Sequence, residues 1–461
     1  MTYAHVSPWL ADAGDLTPRA PLDGDRDVDV AILGAGYTGL WTAYELQRRD
    51  PGLRIGIVEA EIAGFGASGR NGAWCVASIG VTLSELERRY GAATARYVTT
   101  TLRETVDEVG KVCATDVPGA DFHKGGVLRL ARGAHELPLV EQALEQRRRL
   151  GIDDGCAALS AAETRERVAV EGALGAYAEE HCATVHPGRL VRGLASAVER
   201  RGASIWEQTR ATAVVPGRHG ARPVLRTDAG DVTADVVVVA GESYLARLRQ
   251  FHRHVLPVYS LCVLTEPLPA ERLSSIGWDG RECLSSHRLS VDYLSRTADG
   301  RILFGGRGAP YRWGSAIRPE YEQHERTHEW LRSQFREWFP ALADVDFTHA
   351  WGGTVGMPRD WLPTFSYRPQ TGLAAAFGYT GQGVAASNLA GRVLADLICE
   401  GGAHWSRLPM VGHRPRRWEP EPLRWPAVRF LQSAVARLDE RARRTGRPPS
   451  GRSVPERLIR H

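Results

Sequence analysis

The stretch from Asp29 to Gly72 constrains this chain more than any other. Asp29-Val30-Ala31-Ile32-Leu33 reads as a buried strand, and Gly34-x-Gly36-x-x-Gly39 follows it as a tight turn. A helix is expected from about Thr38 to Arg48, then a second strand from Arg54 to Val58 that runs into Glu59, 20 residues beyond Gly39. Each part has a physical task. Gly34 permits the turn, Gly36 lets the backbone approach a pyrophosphate, and Gly39 lets the helix lie close to the strand. Unpaired N–H groups at the helix start favour phosphate charge. Glu59 can accept both hydroxyls of a ribose and would repel a 2′-phosphate. Strand, turn, helix, strand and acid in this order predict a dinucleotide-binding unit.

The residues after Glu59 choose between dinucleotides. Gly64-Phe65-Gly66-Ala67-Ser68-Gly69-Arg70-Asn71-Gly72 holds four glycines in nine positions, with Ser68, Arg70 and Asn71 among them. Such a loop can lay backbone N–H groups and short polar side chains along a second surface. A nicotinamide dinucleotide does not need this loop, whereas an extended FAD does.

At 461 residues the chain can bury a large core and is expected to form two domains. Apolar content of 43% and charged content of 24% are ordinary for an enzyme, and a net charge of +4 singles out no partner, so nucleic acid is not expected. Lys111 and Lys124 are the only lysines. The seven cysteines form no CxxC pair, so neither a disulfide framework nor a metal site is expected. The amino terminus lacks a basic start followed by an apolar core, and no apolar run approaches the ~20 residues that span a bilayer. A cytoplasmic protein is expected.

Residues 1–26 read as a surface arm. Segments 27–110, 183–245 and 346–402 read as the nucleotide-binding domain, 111–182 and 246–345 as a substrate domain, and 403–461 as an arm with one helix from about Trp425 to Arg444. Within these, Leu83 to Cys113 has helical spacing, Phe122 to Leu130 suggests a hairpin around Gly125-Gly126, and Ser315 to Phe339 suggests one long helix. The fold class is α/β: a Rossmann-like unit interleaved with a mixed, largely antiparallel sheet.

The motifs GAGYTG with Glu59, GFGASGRNG, HPGRLVRGLASAVERRGASI, VVVVAGESY, DGRILFGGRG, WGGTVGMPRDWLP and GYTGQGVAASNLAG occur in that order. Together they resemble the FAD-dependent D-amino-acid oxidase-like superfamily, within it the gamma-glutamylputrescine oxidase-type branch, over about residues 5–425. The resemblance implies FAD and oxidation of an amine C–N bond to an imine that water hydrolyses. It assigns Gly34, Gly36 and Gly39 to the pyrophosphate and Glu59 to the adenosine ribose. Ser68, Arg70, Asn71 and Gly72 would line the ribityl chain and flavin edge, Val214 would offer backbone contacts to the adenine half, and Ala240-Gly241 would pass under the cofactor. Gly381, Gln382 and Gly383 open a helix whose positive end would face the flavin. Cys75 reads as a small core residue, and a non-covalent flavin is expected.

Tyr259, His287, Tyr293, Arg296, Trp351 and Tyr379 are candidate walls of the substrate site, with Tyr293, Trp351, Tyr259 and Arg296 as the candidate catalytic set. Amino-acid oxidases of the superfamily often carry an arginine near the position of Val355 to clamp a carboxylate. Its absence favours a small amine whose reacting carbon bears no carboxylate, although Arg307 or Arg359 could substitute. Sarcosine-oxidase-like relatives hold a lysine on the strand equivalent to Arg301–Phe304, and none occurs here, so oxygen or another electron acceptor remains open. An amino-acid oxidase or dehydrogenase is the alternative, and a non-catalytic FAD-binding protein a remote one.

Overall fold

A computed structural model of the protein describes residues 3–307, 309–399, 401–449 and 453–459. Its first sheet is built around Arg26–Leu33. Val30, Ala31 and Ile32 are buried there on both faces, as expected of a strand covered by helices on each side. Asp231–Val239 pairs parallel on one flank and Ile55–Val58 on the other, with Ser204–Trp206 beyond. Leu373–Phe377 extends the parallel set, and Thr364–Arg368 closes that edge antiparallel. Val224–Thr227 and Ala211–Val215 complete an antiparallel meander on Asp231–Val239.

Helices Tyr37–Arg49 and Gly383–Cys399 pack together on one face of this sheet. A Cβ at Gly391 would lie 2.7 Å from the backbone of Trp41, so glycine is what allows the two helices to approach this closely. The start of each therefore comes close to the carboxyl ends of the parallel strands, where ligands of such sheets bind.

The second sheet runs Phe347–Met357, Leu256–Thr265, Ile302–Arg307, Asp292–Arg296, Cys283–Ser286, Val127–Leu130, Gly175–Glu179, Cys156–Ser160. Alternate residues serve its two faces. Leu128, Leu130, Leu261, Val263, Leu294, Ile302 and Phe304 pack outward against Leu331, Phe335 and Trp338 of helix Glu325–Trp338. The other face turns toward the first sheet.

Several sequence expectations change in detail. Residues 83–113 are not one helix: Gly91, at φ +82°, separates Leu83–Tyr90 from Ala92–Thr115. No hairpin forms at Gly125-Gly126; Val127–Leu130 pairs instead with distant Cys283–Ser286 and Gly175–Glu179. The helix expected from Ser315 reduces to Glu325–Trp338, preceded by single turns around Trp313–Ser315 and Pro319–Glu322. The boundary drawn at 346 falls before a strand of the second sheet, since Phe347–Met357 pairs along the whole of Leu256–Thr265. Helix Arg424–Thr445, the one helix expected in the 403–461 arm, packs on the body of the protein. Asp439 accepts the Leu289 and Ser290 amides at 2.9 and 2.7 Å, and Val428 packs with Val258 and Met357.

Candidate active site

A continuous cavity of about 1250 Å³ lies between the two sheets. Glu59, Glu61, Arg210 and Thr212 line one end, Gly34, Gly36 and Ser68 the middle, and Tyr293, Arg307 and Gln382 the other end. This is above the usual range for small-molecule pockets, as a dinucleotide plus a substrate requires.

The glycine turn is shaped by close contacts. Gly34 sits at φ +102°, and a Cβ there would lie 2.9 Å from the Ala240 carbonyl oxygen. A Cβ at Gly39 would lie 2.0 Å from the Gly34 carbonyl oxygen, so the helix touches the turn backbone directly. The helix has Gly36 at its cap and no side-chain cap. Among the described residues only the Ser68 hydroxyl, at 2.8 Å, receives the Tyr37 amide. A helix start with so few protein acceptors beside an open cavity fits a pyrophosphate.

Glu59 accepts the Ala35 and Glu61 amides, one on each carboxylate oxygen, at 2.9 and 3.0 Å. Burial pushes its carboxyl up to about 7 despite those two bonds. Glu242, which sequence reasoning passed over although it follows Ala240-Gly241, is held the same way. It accepts the Gly356 amide at 3.1 Å and the Gly378 amide at 2.7 Å, and burial raises it to about 7. It thereby joins Phe347–Met357 of one sheet to the end of Leu373–Phe377 in the other.

The loop Gly64–Gly72 is fixed through its carbonyls. Four in succession accept side-chain bonds from three separate segments: Gly69 from Ser7 (2.5 Å), Arg70 from Trp351 (3.0 Å), Asn71 from Trp9 (2.8 Å) and Gly72 from Ser295 (3.0 Å). Arg70 and Asn71 line the cavity, but their polar groups serve the loop. Arg70 donates to Phe65 O and Gly352 O and pairs with Glu322. Asn71 donates to Ser68 O and accepts the Ala73 amide. Ser7 and Trp9 come from the amino-terminal arm, a contribution that nothing in its composition signals.

Of the four residues expected to be catalytic, Tyr293 alone lines the cavity. Its ring lies between two glycines, where a Cβ at Gly72 or Gly305 would approach to 2.3 or 2.1 Å. Its hydroxyl meets the Ser260 hydroxyl at 2.9 Å and Cys262 Sγ at 3.3 Å. Trp351 is buried and packs on Trp9 while holding the Arg70 carbonyl. Tyr259 is also buried, with its hydroxyl donating to Arg318 O. Arg296 points elsewhere, donating to Trp278 O at 2.6 Å and facing Asp279. Alternation along a strand places such neighbours on either face, and motif order does not resolve which.

The cofactor candidates distribute similarly. Gly36, Ser68, Gly72, Ala240, Gly241, Gly381, Gln382 and Gly383 line the cavity with Gly34 and Glu59. Val214 does not: its side chain is in the core and its carbonyl accepts Gln250, so the neighbouring wall is Arg210–Thr212. Gln382 Oε1 accepts the Ser78 hydroxyl at 2.6 Å, and Tyr379 bonds Thr38, tying the two helix starts together. Cys75 is fully buried in the core. Lys111 and Lys124 pair with Glu108 and Asp107 away from the cavity.

His287, Val355, Arg359 and Arg307 line the substrate end. Burial pushes His287 down to about 4, so its ring is neutral. Arg359 pairs with Glu419 at 3.2 Å. Arg307 donates to the Thr380 carbonyl, and burial holds its guanidinium below the usual range. Sequence reasoning named His287 but missed Arg129, the residues on either side of His287 in 285–292, and helix Arg424–Thr445 as walls. No motif marks them, because long-range pairing brings them in.

The comparisons agree with this geometry. The family model described as FAD dependent oxidoreductase (DAO) matches residues 29–397. Gamma-glutamylputrescine oxidoreductase of Escherichia coli is 29% identical over 417 residues, covering 90% of this chain and 94% of that protein. The probable oxidoreductase OrdL of Rhizobium meliloti is 31% identical over 402 residues, covering 85% and 89%. Among solved structures, glycine oxidase from Geobacillus kaustophilus superposes with a TM-score of 0.67 at 23% identity, covering 84% of this chain and 99% of that one, a likeness of fold. With the family match spanning most of the chain and the cavity shaped for the cofactor, the protein belongs to the FAD-dependent oxidoreductase (DAO) family.

Proposed function

We infer that the protein oxidises the C–N bond of a small amine to an imine, which water then hydrolyses. Bound FAD supplies the hydride acceptor. The chain's residues position the amine-bearing carbon and exclude water. Tyr293, Val355 and Val258 wall the substrate end, and Val428 and Leu431 of helix Arg424–Thr445 cover it. The neutral His287 adds no charge there, and the Arg307 guanidinium on the same wall disfavours a second cation, which favours the uncharged amine that hydride removal needs. The observation that carries this reading is Val355, an apolar side chain on the cavity wall where a carboxylate clamp would stand.

One observation favours a second reading, an amino-acid oxidoreductase. Arg307 reaches the same end of the cavity with no carboxylate partner among the described residues. Under the first reading its task is to hold the Thr380 carbonyl, and with it the turn into helix Gly383–Cys399. Anaerobic titration of the yellow protein with amines and α-amino acids separates the two. Bleaching by amines alone supports the first reading, and bleaching by amino acids alone replaces it with the second. The acceptor is read from the speed of recolouring in air. With neither lysine at the cavity, slow recolouring and a separate acceptor are expected.

No helix among the described residues is long and apolar enough to cross a membrane.

A further inference from the structure

We propose that Arg129 determines specificity by holding a carboxylate at the end of the substrate remote from the reacting amine. This rests on the amine-oxidation reading and adds a substrate class to it.

Arg129 stands in one row across the inner face of the second sheet. It pairs with Ser285, the Leu284–Leu294 register sets Ser285 opposite Tyr293, and Tyr293 pairs with Gly305. Leu128 and Leu130 enter the outer core, so alternation turns Arg129 to the opposite face, where it lines the cavity. Two strand spacings put the Arg129 and Tyr293 backbones about 10 Å apart. Between them stands only the small Ser285. The Tyr293 ring leans the other way, over Gly305, and its hydroxyl is held at Ser260. The floor from Tyr293 to Arg129 is therefore open to an extended chain.

Arg129 lacks an anion. Among the described residues its guanidinium makes no hydrogen bond or ion pair; the carboxylate that attracts it is Glu179. Glu179 is already taken by Arg103 and Arg147, each at 3.1 Å, and by the Tyr177 hydroxyl at 2.8 Å. Three guanidiniums thus share one carboxylate, and an arginine does not shed its proton to relieve this. A half-buried, unpaired cation on a cavity wall is stabilised by an incoming anion, and its planar fork matches a carboxylate. His287 stands beside it. One side of its ring meets the Arg129 carbonyl, and its buried Nε2 has no partner among the described residues. A neutral ring that donates to that carbonyl leaves Nε2 as an acceptor for an N–H near the substrate carboxylate.

The test compares n-pentylamine with δ-aminovalerate, the same amine carrying a terminal carboxylate, on the FAD-loaded protein and its Arg129→Met and Arg129→Lys variants. Wild type is expected to prefer δ-aminovalerate in kcat/KM. Arg129→Met should lower that preference about 10- to 100-fold, the scale of a hydrogen bond to a charged group, and Arg129→Lys should recover part of it. Calorimetry with valerate, which has no amine to oxidise, should show binding to wild type that Arg129→Met loses. Equal loss on both amines, no preference in wild type, or unchanged valerate binding in Arg129→Met would overturn the proposal. If neither amine reduces the flavin while valerate binding still depends on Arg129, the anion site stands and the amine reading fails.

Discussion

Tyr293 is held in place by two absent side chains, and Gly305→Ala tests this directly. The added methyl would start 2.1 Å from the ring, whereas relaxed carbon contacts begin near ~3.5 Å, so the ring must retreat by about 1.4 Å. It cannot retreat toward the cofactor loop, because Gly72 already leaves no room for a Cβ at 2.3 Å. A retreat also pulls the hydroxyl from Ser260, now 2.9 Å away. Overpacking costs about 1–3 kcal/mol and the lost hydrogen bond about 1 kcal/mol more, so roughly 2–4 kcal/mol of stability should be lost. A displacement above 1 Å at a substrate wall also predicts about a 100-fold slower anaerobic flavin reduction. The assay is a double-mutant cycle with Tyr293→Ala, read by chemical unfolding and by stopped-flow absorbance. With the ring gone, Gly305→Ala should become nearly neutral for stability, giving a coupling of roughly 2–4 kcal/mol, at the upper end for residues in contact. If Gly305→Ala is as damaging without the ring as with it, the glycine serves the strand rather than Tyr293, and the reasoning fails.

Three further outcomes are expected. Trp351→Phe strips the buried Arg70 carbonyl of its donor, which should cost about 1–3 kcal/mol in thermal unfolding while leaving measurable amine oxidation; a stable, inactive variant would instead make Trp351 catalytic. Glu59 has a folded pKa of about 7, above its unfolded value, so the neutral carboxyl is the form that the fold favours. Stability of the FAD-free protein should be highest below pH ~4.5 as far as this group is concerned, and should decline as pH rises through about 7. Glu59→Gln should flatten part of that decline while weakening FAD retention about 10- to 100-fold in fluorescence titration, and an unchanged profile would count against it. Asp439→Ala releases the amides of Leu289 and Ser290, so helix Arg424–Thr445 should become the first site of limited proteolysis and KM for amines should rise; unchanged proteolysis and KM would show that the helix is held by other contacts.

Local pattern alone determined the nucleotide-binding half. A buried β-branched strand, glycines at Gly34, Gly36 and Gly39, and an acid at the end of the next strand are contiguous, and their spacing carries their geometry. The close approach at Gly39 and the left-handed turn at Gly34 are the physical content of that pattern, so the chain reads correctly there without knowledge of the rest. The substrate half is different. Val127–Leu130 carries no hairpin because its partners are about 50 and 155 residues away in sequence. Tyr293, Trp351, Tyr259 and Arg296 look alike as aromatic or basic residues on strands, yet one faces the cavity, two are locked in the interior and one turns to Trp278. Strand alternation flips a side chain with each one-residue step in register, and register is set by the distant partner strand. Only the tertiary structure could bring Ser7 and Trp9 to the cofactor loop and Arg129 into line with Tyr293, because no local propensity records which side chains meet across a sheet.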